Sequence, residues 1–145
     1  MRIGLFAGSF NPFTIGHRRV VERVLPLFDR LIIGVGCNSN KQGETSFEER
    51  VEQIKRIFAS EERVEVKAFQ GLTMEFARAE NVDFIVKGVR SVRDYEYERD
   101  QADANLKLGS IETLLVVAEP ELSYVSSTLV RELKSYGKNV DNLLG

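Results

Sequence analysis

The 145 residues, 43% of them hydrophobic, suffice for one domain with a real core and fall short of two domains of ordinary size. No apolar run approaches the roughly 20 residues that cross a bilayer, and "MRIGLFAGSF" lacks the basic, long-apolar and cleavage-site succession of a leader, so the expected compartment is the cytoplasm with no membrane partner. A single cysteine, Cys37, excludes an internal disulfide and a thiolate metal cluster, and 20 basic against 22 acidic residues (net charge -2) argue against nucleic acid as a partner, so any phosphate site has to be built locally.

In chain order, "RIGLFA" (2–7) reads as a strand and leads into "GSFNPFTIGH" (8–17). That loop has neither the G-x-G-x-x-G nor the P-loop pattern. It is still suited to phosphate: Gly8 and Gly16 admit a ligand close to the backbone, Ser9 and Thr14 offer hydroxyls, and a helix beginning near Gly16 turns unpaired N–H groups toward whatever lies above it. His17, the only histidine, falls in that first turn, where a solvated side chain and an anion contact are both open readings. Val20, Val21, Val24 and Phe28 give the helix its apolar stripe.

"RLIIGVG" (30–36) is the second strand, followed by Cys37, read as a small strand-end residue, and by the polar loop "NSNKQGETS" (38–46) with Lys41. Ser46 and Glu49 can form a capping box ahead of a helix carrying Phe47, Val51, Ile54 and Phe58. "RVEVKAF" (63–69) is the third strand, and Leu72, Phe76 and Ala77 mark the next helix. "DFIVKGV" (83–89) is the fourth strand, and "VKGVRSVRDYEYERD" sets Lys87 and Arg90 directly after it, where charges face a ligand crevice. Arg93, Arg99 and Asp100 read as a solvated helix face, and Tyr95 and Tyr97 as packing residues. "ETLLVVAE" (112–119) is the fifth strand, and Ser126, Ser127 and Thr128 open the last helix, where N-capping explains their hydroxyls and their amides form an anion site.

Strands apolar throughout, alternating with helices, predict a single-domain α/β fold over 1–145: an open parallel five-stranded sheet with helices on both faces. Ligands in such sheets bind beyond the carboxyl ends of the strands where strand order reverses, which directs attention to the loops after strands one, two, four and five.

"GSFNPFTIGH" resembles the His/Thr-x-Gly-His loop of the nucleotidyltransferase superfamily, here Thr14-Ile15-Gly16-His17, and "SYVSSTLVRE" (123–132) resembles its serine-rich second motif. With "KQGETSFEERV" and "KGVRSVRDYEYE" in order and spacing, residues 1 to about 133 are similar to the bacterial pantetheine-phosphate adenylyltransferases, a family of Rossmann-like fold. The resemblance implies transfer of the adenylyl group of ATP to 4'-phosphopantetheine, giving dephospho-coenzyme A and pyrophosphate, with Mg²⁺ as cofactor and with dephospho-coenzyme A and coenzyme A as product or inhibitor. It further implies that Ser9 and Phe10 contact nucleotide, Ser9 also lying near the acceptor phosphate, and that His17 touches the reacting phosphates as transition-state stabiliser. By the same pattern Lys41 grips the acceptor phosphate, Thr73 and Lys87 line the acceptor site, and Gly88, Val89, Arg90, Glu98 and the segment Leu122, Ser123, Tyr124, Val125, Ser126, Ser127 and Thr128 hold ATP. A homohexamer is the assembly the family implies.

Asn11 stands where the family usually has aspartate, and Lys87 where it has arginine, keeping charge but losing the two-pronged geometry. The tail "SYGKNVDNLLG" stops before a further helix that many relatives carry. No triad and no dedicated carboxylate cluster is visible, and a phosphate monoester acceptor is already anionic near neutral pH. In-line attack on the α-phosphorus, assisted by positioning, helix N-termini and cations, with Mg²⁺ held by substrate and water, is the economical mechanism. Two rivals stay open: a nucleotidyltransferase using CTP or nicotinamide mononucleotide, and a nucleotide-binding regulatory module without turnover.

Overall fold

The computed structural model describes residues 1–37 and 46–145. Five parallel strands, β1 (Ile3–Gly8), β2 (Arg30–Gly36), β3 (Val64–Phe69), β4 (Phe84–Val89) and β5 (Glu112–Val117), form one sheet in the order β3-β2-β1-β4-β5. They alternate with helices α1 (Ile15–Val24), α2 (Phe47–Ile57), α3 (Thr73–Ala79), α4 (Val92–Gly109) and α5 (Ser127–Ser135). The open, helix-covered parallel sheet expected from the apolar runs is therefore present. Strand order reverses between β1 and β4, so the crevice of the fold opens beyond Gly8 and Val89.

Both faces of the sheet are buried, which is why its central strands are apolar without alternation. On one face Phe6, Leu31, Ile33, Val35 and Val86 pack with Val20, Val21 and Val24 of α1 and Ile54 of α2. On the other, Ile3, Leu5, Ile32 and Ile85 pack with Ala77 of α3. A smaller cluster, Val125, Val130, Val140 and Leu143, seats α5 and the chain's last turn. Among the described residues no helix is long and apolar enough to cross a membrane.

The first helix is shorter than its apolar spacing predicts. α1 ends at Val24 and passes into a single 3-10 turn, Leu25–Leu27, because Pro26 lacks the N–H that a continuing α-helix needs. Phe28 lies beyond that turn and is nonetheless buried, filling the space over Gly4 of β1. At α2, Ser46 accepts the Glu49 N–H at 3.2 Å, one half of the capping box its sequence allows.

Candidate active site

The first loop leaves β1 at Gly8 and enters α1 through Thr14, whose hydroxyl accepts the His17 N–H at 3.3 Å while the Thr14 N–H donates to His17 Nδ1 at 2.9 Å. A backbone N–H can only donate, so Nδ1 carries a lone pair and the ring proton belongs on Nε2. The imidazole stands among the rings of Phe10 (5.1 Å, edge-on), Phe13 (5.3 Å) and Phe6 (6.1 Å). Desolvation by these neighbours, and secondarily the Arg90 guanidinium, lowers its pKa to about 4. His17 is thus a neutral donor through Nε2 at ordinary pH, built into the N-terminus of a helix.

The carboxyl end of β4 and the residue after it supply charge: Lys87 lies within the strand, not after it as its sequence suggested, and Arg90 follows it. Lys87 Nζ lies 3.8 Å from Glu98 Oε2 of α4, both side chains mostly buried, and among the described residues that carboxylate oxygen has no hydrogen-bond partner. Arg90 donates its backbone N–H to Asp94 at 3.0 Å and holds its Nε 3.4 Å from the same carboxylate, while Ser91 caps α4 by accepting the Asp94 N–H at 3.1 Å. Asp94 thus braces both the backbone and the side chain of Arg90.

The third wall is the start of α5. Ser126 spends its hydroxyl on the Leu129 N–H (3.0 Å), and Ser127 donates its own to the Pro12 carbonyl at 2.7 Å, tying α5 to the first loop. What these residues leave for a ligand is their backbone N–H groups, at the positive end of a nine-residue helix.

Together these segments enclose a cavity of about 320 Å³ at the carboxyl ends of β1 and β4. Ser9, Phe10, His17, Lys87, Gly88, Val89, Arg90, Glu98, Leu122, Val125, Ser126, Ser127 and Thr128 line it, so most of the predicted site residues, 80 and more positions apart in sequence, meet there. Ser123 and Tyr124 do not: Ser123 Oγ donates to the Pro120 carbonyl (3.1 Å) and Tyr124 is exposed. Thr73 begins α3 beside the outermost strand, outside this cavity. Lys41 lies outside the described residues. A wider hollow of about 820 Å³ sits at the opposite, amino end of the sheet around Asp29 and Asp83, but those carboxylates accept the Arg2 and Ile3 N–H groups at 2.6 and 2.8 Å and serve the strand ends.

Two basic residues escaped the sequence reading. Arg50 of α2 is buried at 3% exposure, donates Nη1 to the Ser9 carbonyl at 3.1 Å and lies 5.0 Å over the Phe47 ring. Arg131 of α5 donates to the Asn11 carbonyl and, at 3.3 Å, to Thr128 Oγ1. The available signal was spacing: Arg50 stands three after Phe47 and four before Ile54, on the stripe that faces inward.

A family model described as cytidylyltransferase-like matches residues 5–133. Phosphopantetheine adenylyltransferase of Phocaeicola vulgatus is 51% identical over 99% of this chain and 95% of its own length, that of Bacteroides fragilis 49% over 97% and 93%, and that of Clostridium perfringens 42% over 99% and 88%. Among solved structures, a bifunctional NMN adenylyltransferase/ADP ribose pyrophosphatase from Francisella tularensis superposes with a TM-score of 0.75 at 17% identity. The match covers 99% of this chain and 44% of that one, a likeness of fold alone. With a cavity at the switch point, a histidine-bearing helix N-terminus and this depth of identity across nearly the whole length, the chain belongs to the phosphopantetheine adenylyltransferase family of cytidylyltransferase-like proteins.

Proposed function

We propose that the protein transfers the adenylyl group of ATP to 4'-phosphopantetheine, releasing dephospho-coenzyme A and pyrophosphate. The observation that carries this reading is a neutral, pre-oriented imidazole donor at a helix N-terminus, facing a cavity that Lys87 and Arg90 also line. An oxygen of the acceptor phosphate attacks the α-phosphorus, and the bond from that phosphorus to the bridging oxygen breaks. The electron pair leaves with pyrophosphate. The attacking phosphate is already anionic, so no general base is required.

Charge that builds on the α-phosphoryl oxygens is met by the Nε2–H of His17 and by the amides at the start of α5. Ser9, Phe10, Gly88, Val89, Arg90 and the Leu122 to Thr128 segment hold ATP. The Glu98 oxygen that faces Lys87 but accepts no hydrogen bond among the described residues suits a hydroxyl or amino group of the nucleoside, since a carboxylate repels phosphate. Lys87, with Lys41, Thr73 and Ser9, takes the acceptor. Direct transfer rather than a covalent intermediate is supported by Cys37, which does not line the cavity and whose thiol burial pushes up, away from the reactive thiolate.

Among the described residues no group of three or more His, Cys, Asp or Glu side chains is placed to hold a metal. Among the described residues Glu98 is the one carboxylate that lines the cavity, which fits a Mg²⁺ that would arrive on the nucleotide rather than be held by a protein carboxylate cluster; when bound it would supply neutralising charge. The protein works in the cytoplasm as a homohexamer, and coenzyme A, which shares the acceptor's arm, competes for the site.

Pyrophosphate release from ATP and Mg²⁺ with 4'-phosphopantetheine tests the reading. ATP is expected to be used well above CTP, and phosphopantetheine well above nicotinamide mononucleotide. Equal use of CTP sinks the adenylyl assignment, and no release with any pair leaves a binding module.

A further inference from the structure

Phe10 has φ +48°, a left-handed conformation rare for a bulky side chain. Such a residue persists when its surroundings over-determine it. From inside, its buried ring is held between Phe6 and Phe13, each 5.2 Å away, and edge-on to His17. From outside, the carbonyls on either side of it are both taken by arginines of other elements: Ser9 O by Arg50 of α2 and Asn11 O by Arg131 of α5. The Ser127 hydroxyl holds the next carbonyl, Pro12 O.

We infer that Arg50 and Arg131 are positioning residues that clamp the left-handed turn of the first loop in its phosphate-accepting form. Neither lines the cavity. Both act on backbone: they draw two carbonyl oxygens, which would repel a polyphosphate, toward α2 and α5, leaving the Ser9 hydroxyl, the Phe10 ring and the His17 edge at the cavity. Burying a guanidinium at 3% exposure on a stripe otherwise filled by Phe47 and Ile54 is costly, and burial lowers the Arg50 pKa. The two arginines are also close enough for Arg131 to disfavour the charge on Arg50. An apolar residue would satisfy the helix better; a carbonyl that has to be held explains the arginine. The catalytic consequence rests on the adenylyl transfer proposed above.

Four variants test the clamp: Arg50→Met, Arg50→Lys, Arg131→Met and, as a control, Lys55→Met, an exposed change on α2. Amide hydrogen exchange is read at residues 9–11 and across β1 and β2, and kcat and KM are measured on the same preparations. Each Met variant is expected to speed loop exchange at least about tenfold while the strands stay within about twofold. It should also lower kcat/KM at least about tenfold, with kcat falling and KM for ATP rising together. Arg50→Lys restores part of both losses, and Lys55→Met changes neither. Wild-type loop exchange in a folded Met variant, or equal quickening of β1 and β2, overturns the clamp. If Arg50→Met does not fold, Arg131→Met and Arg50→Lys decide by the same criteria. Should the wild type release no pyrophosphate, the reaction reading fails, while loop exchange still decides the clamp.

Discussion

At His17 the two ring nitrogens have separate work, and two substitutions separate them. Nδ1 closes the cap with the N–H of Thr14, a residue 1% exposed, which leaves Nε2 as the ring's donor in a residue that lines the cavity. Asparagine can replace the first function only, so His17→Asn is expected to keep its stability and ATP affinity within several-fold while losing about 10²- to 10³-fold in kcat, the usual cost of one transition-state donor. Glutamine reaches the outer position but leaves the Thr14 N–H unmet, so His17→Gln should retain more turnover and lose about 1–3 kcal/mol of stability. Near-wild-type turnover in His17→Asn would leave the reaction without its central donor. The imidazole also sets a pH dependence. Its folded pKa, about 4, lies below the ordinary 6.5, so the unfolded chain takes up the proton first as pH falls. The stabilisation is full above pH 6.5 and drains away as pH drops toward 4. Urea titrations should show the wild type losing about 3 kcal/mol more than His17→Asn between pH 7 and pH 4.

At the scale of elements, two glycines make opposite predictions. A Cβ on Gly4 of β1 would lie 2.8 Å from the Phe28 ring, which is buried and has nowhere to go, so Gly4→Ala is expected to cost about 1–3 kcal/mol. A Cβ on Gly16 meets only ordinary contacts, at 3.4 Å and beyond, yet this residue lines the cavity. Gly16→Ala should therefore fold at least as stably while calorimetry shows ATP affinity reduced at least about tenfold, a 1.4 kcal/mol loss. The same contrast explains what could be read in advance. The strands were legible because burial on both faces leaves continuous apolar runs, and His17, Arg90 and Ser126 to Thr128 because each directly follows a strand or opens a helix, whereas Lys87, expected just after β4, lies within it near its carboxyl end. Phe28 misled because its spacing continues the α1 stripe although Pro26 ends the helix. Arg50 and Arg131 were illegible as loop braces, since which carbonyl a helix residue meets depends on how separate elements pack, and no local spacing records that.

At the scale of the whole molecule, α4 is the element that the single chain leaves unexplained. None of its 18 residues is buried. Its half-buried stripe consists of Asp94, Glu98, Ala102, Asn105 and Gly109, small or polar, with Glu98 serving the cavity and Asp94 bracing Arg90. Its apolar side chains lie on the two flanks of that stripe: Val92, Tyr95 and Leu106 on one, Tyr97 and Leu108 on the other, between 44% and 74% exposed. A surface helix ordinarily turns its apolar side inward, and exposed apolar flanks beside an edge strand whose Val117 is 68% exposed mark surface meant to be covered. Under the homohexamer proposed above, the cover is a second copy of this chain on each flank. Sedimentation at micromolar concentration should then show the wild type as a closed assembly, and Leu108→Glu and Val92→Glu, at positions 69% and 74% exposed, as smaller species with unchanged circular dichroism. Because the stripe between the flanks carries Glu98 and the brace on Arg90, dissociation should also weaken ATP binding without touching His17. A wild type that sediments as a monomer, or flank variants that assemble as before, would remove the second copy as the reason for these exposed side chains.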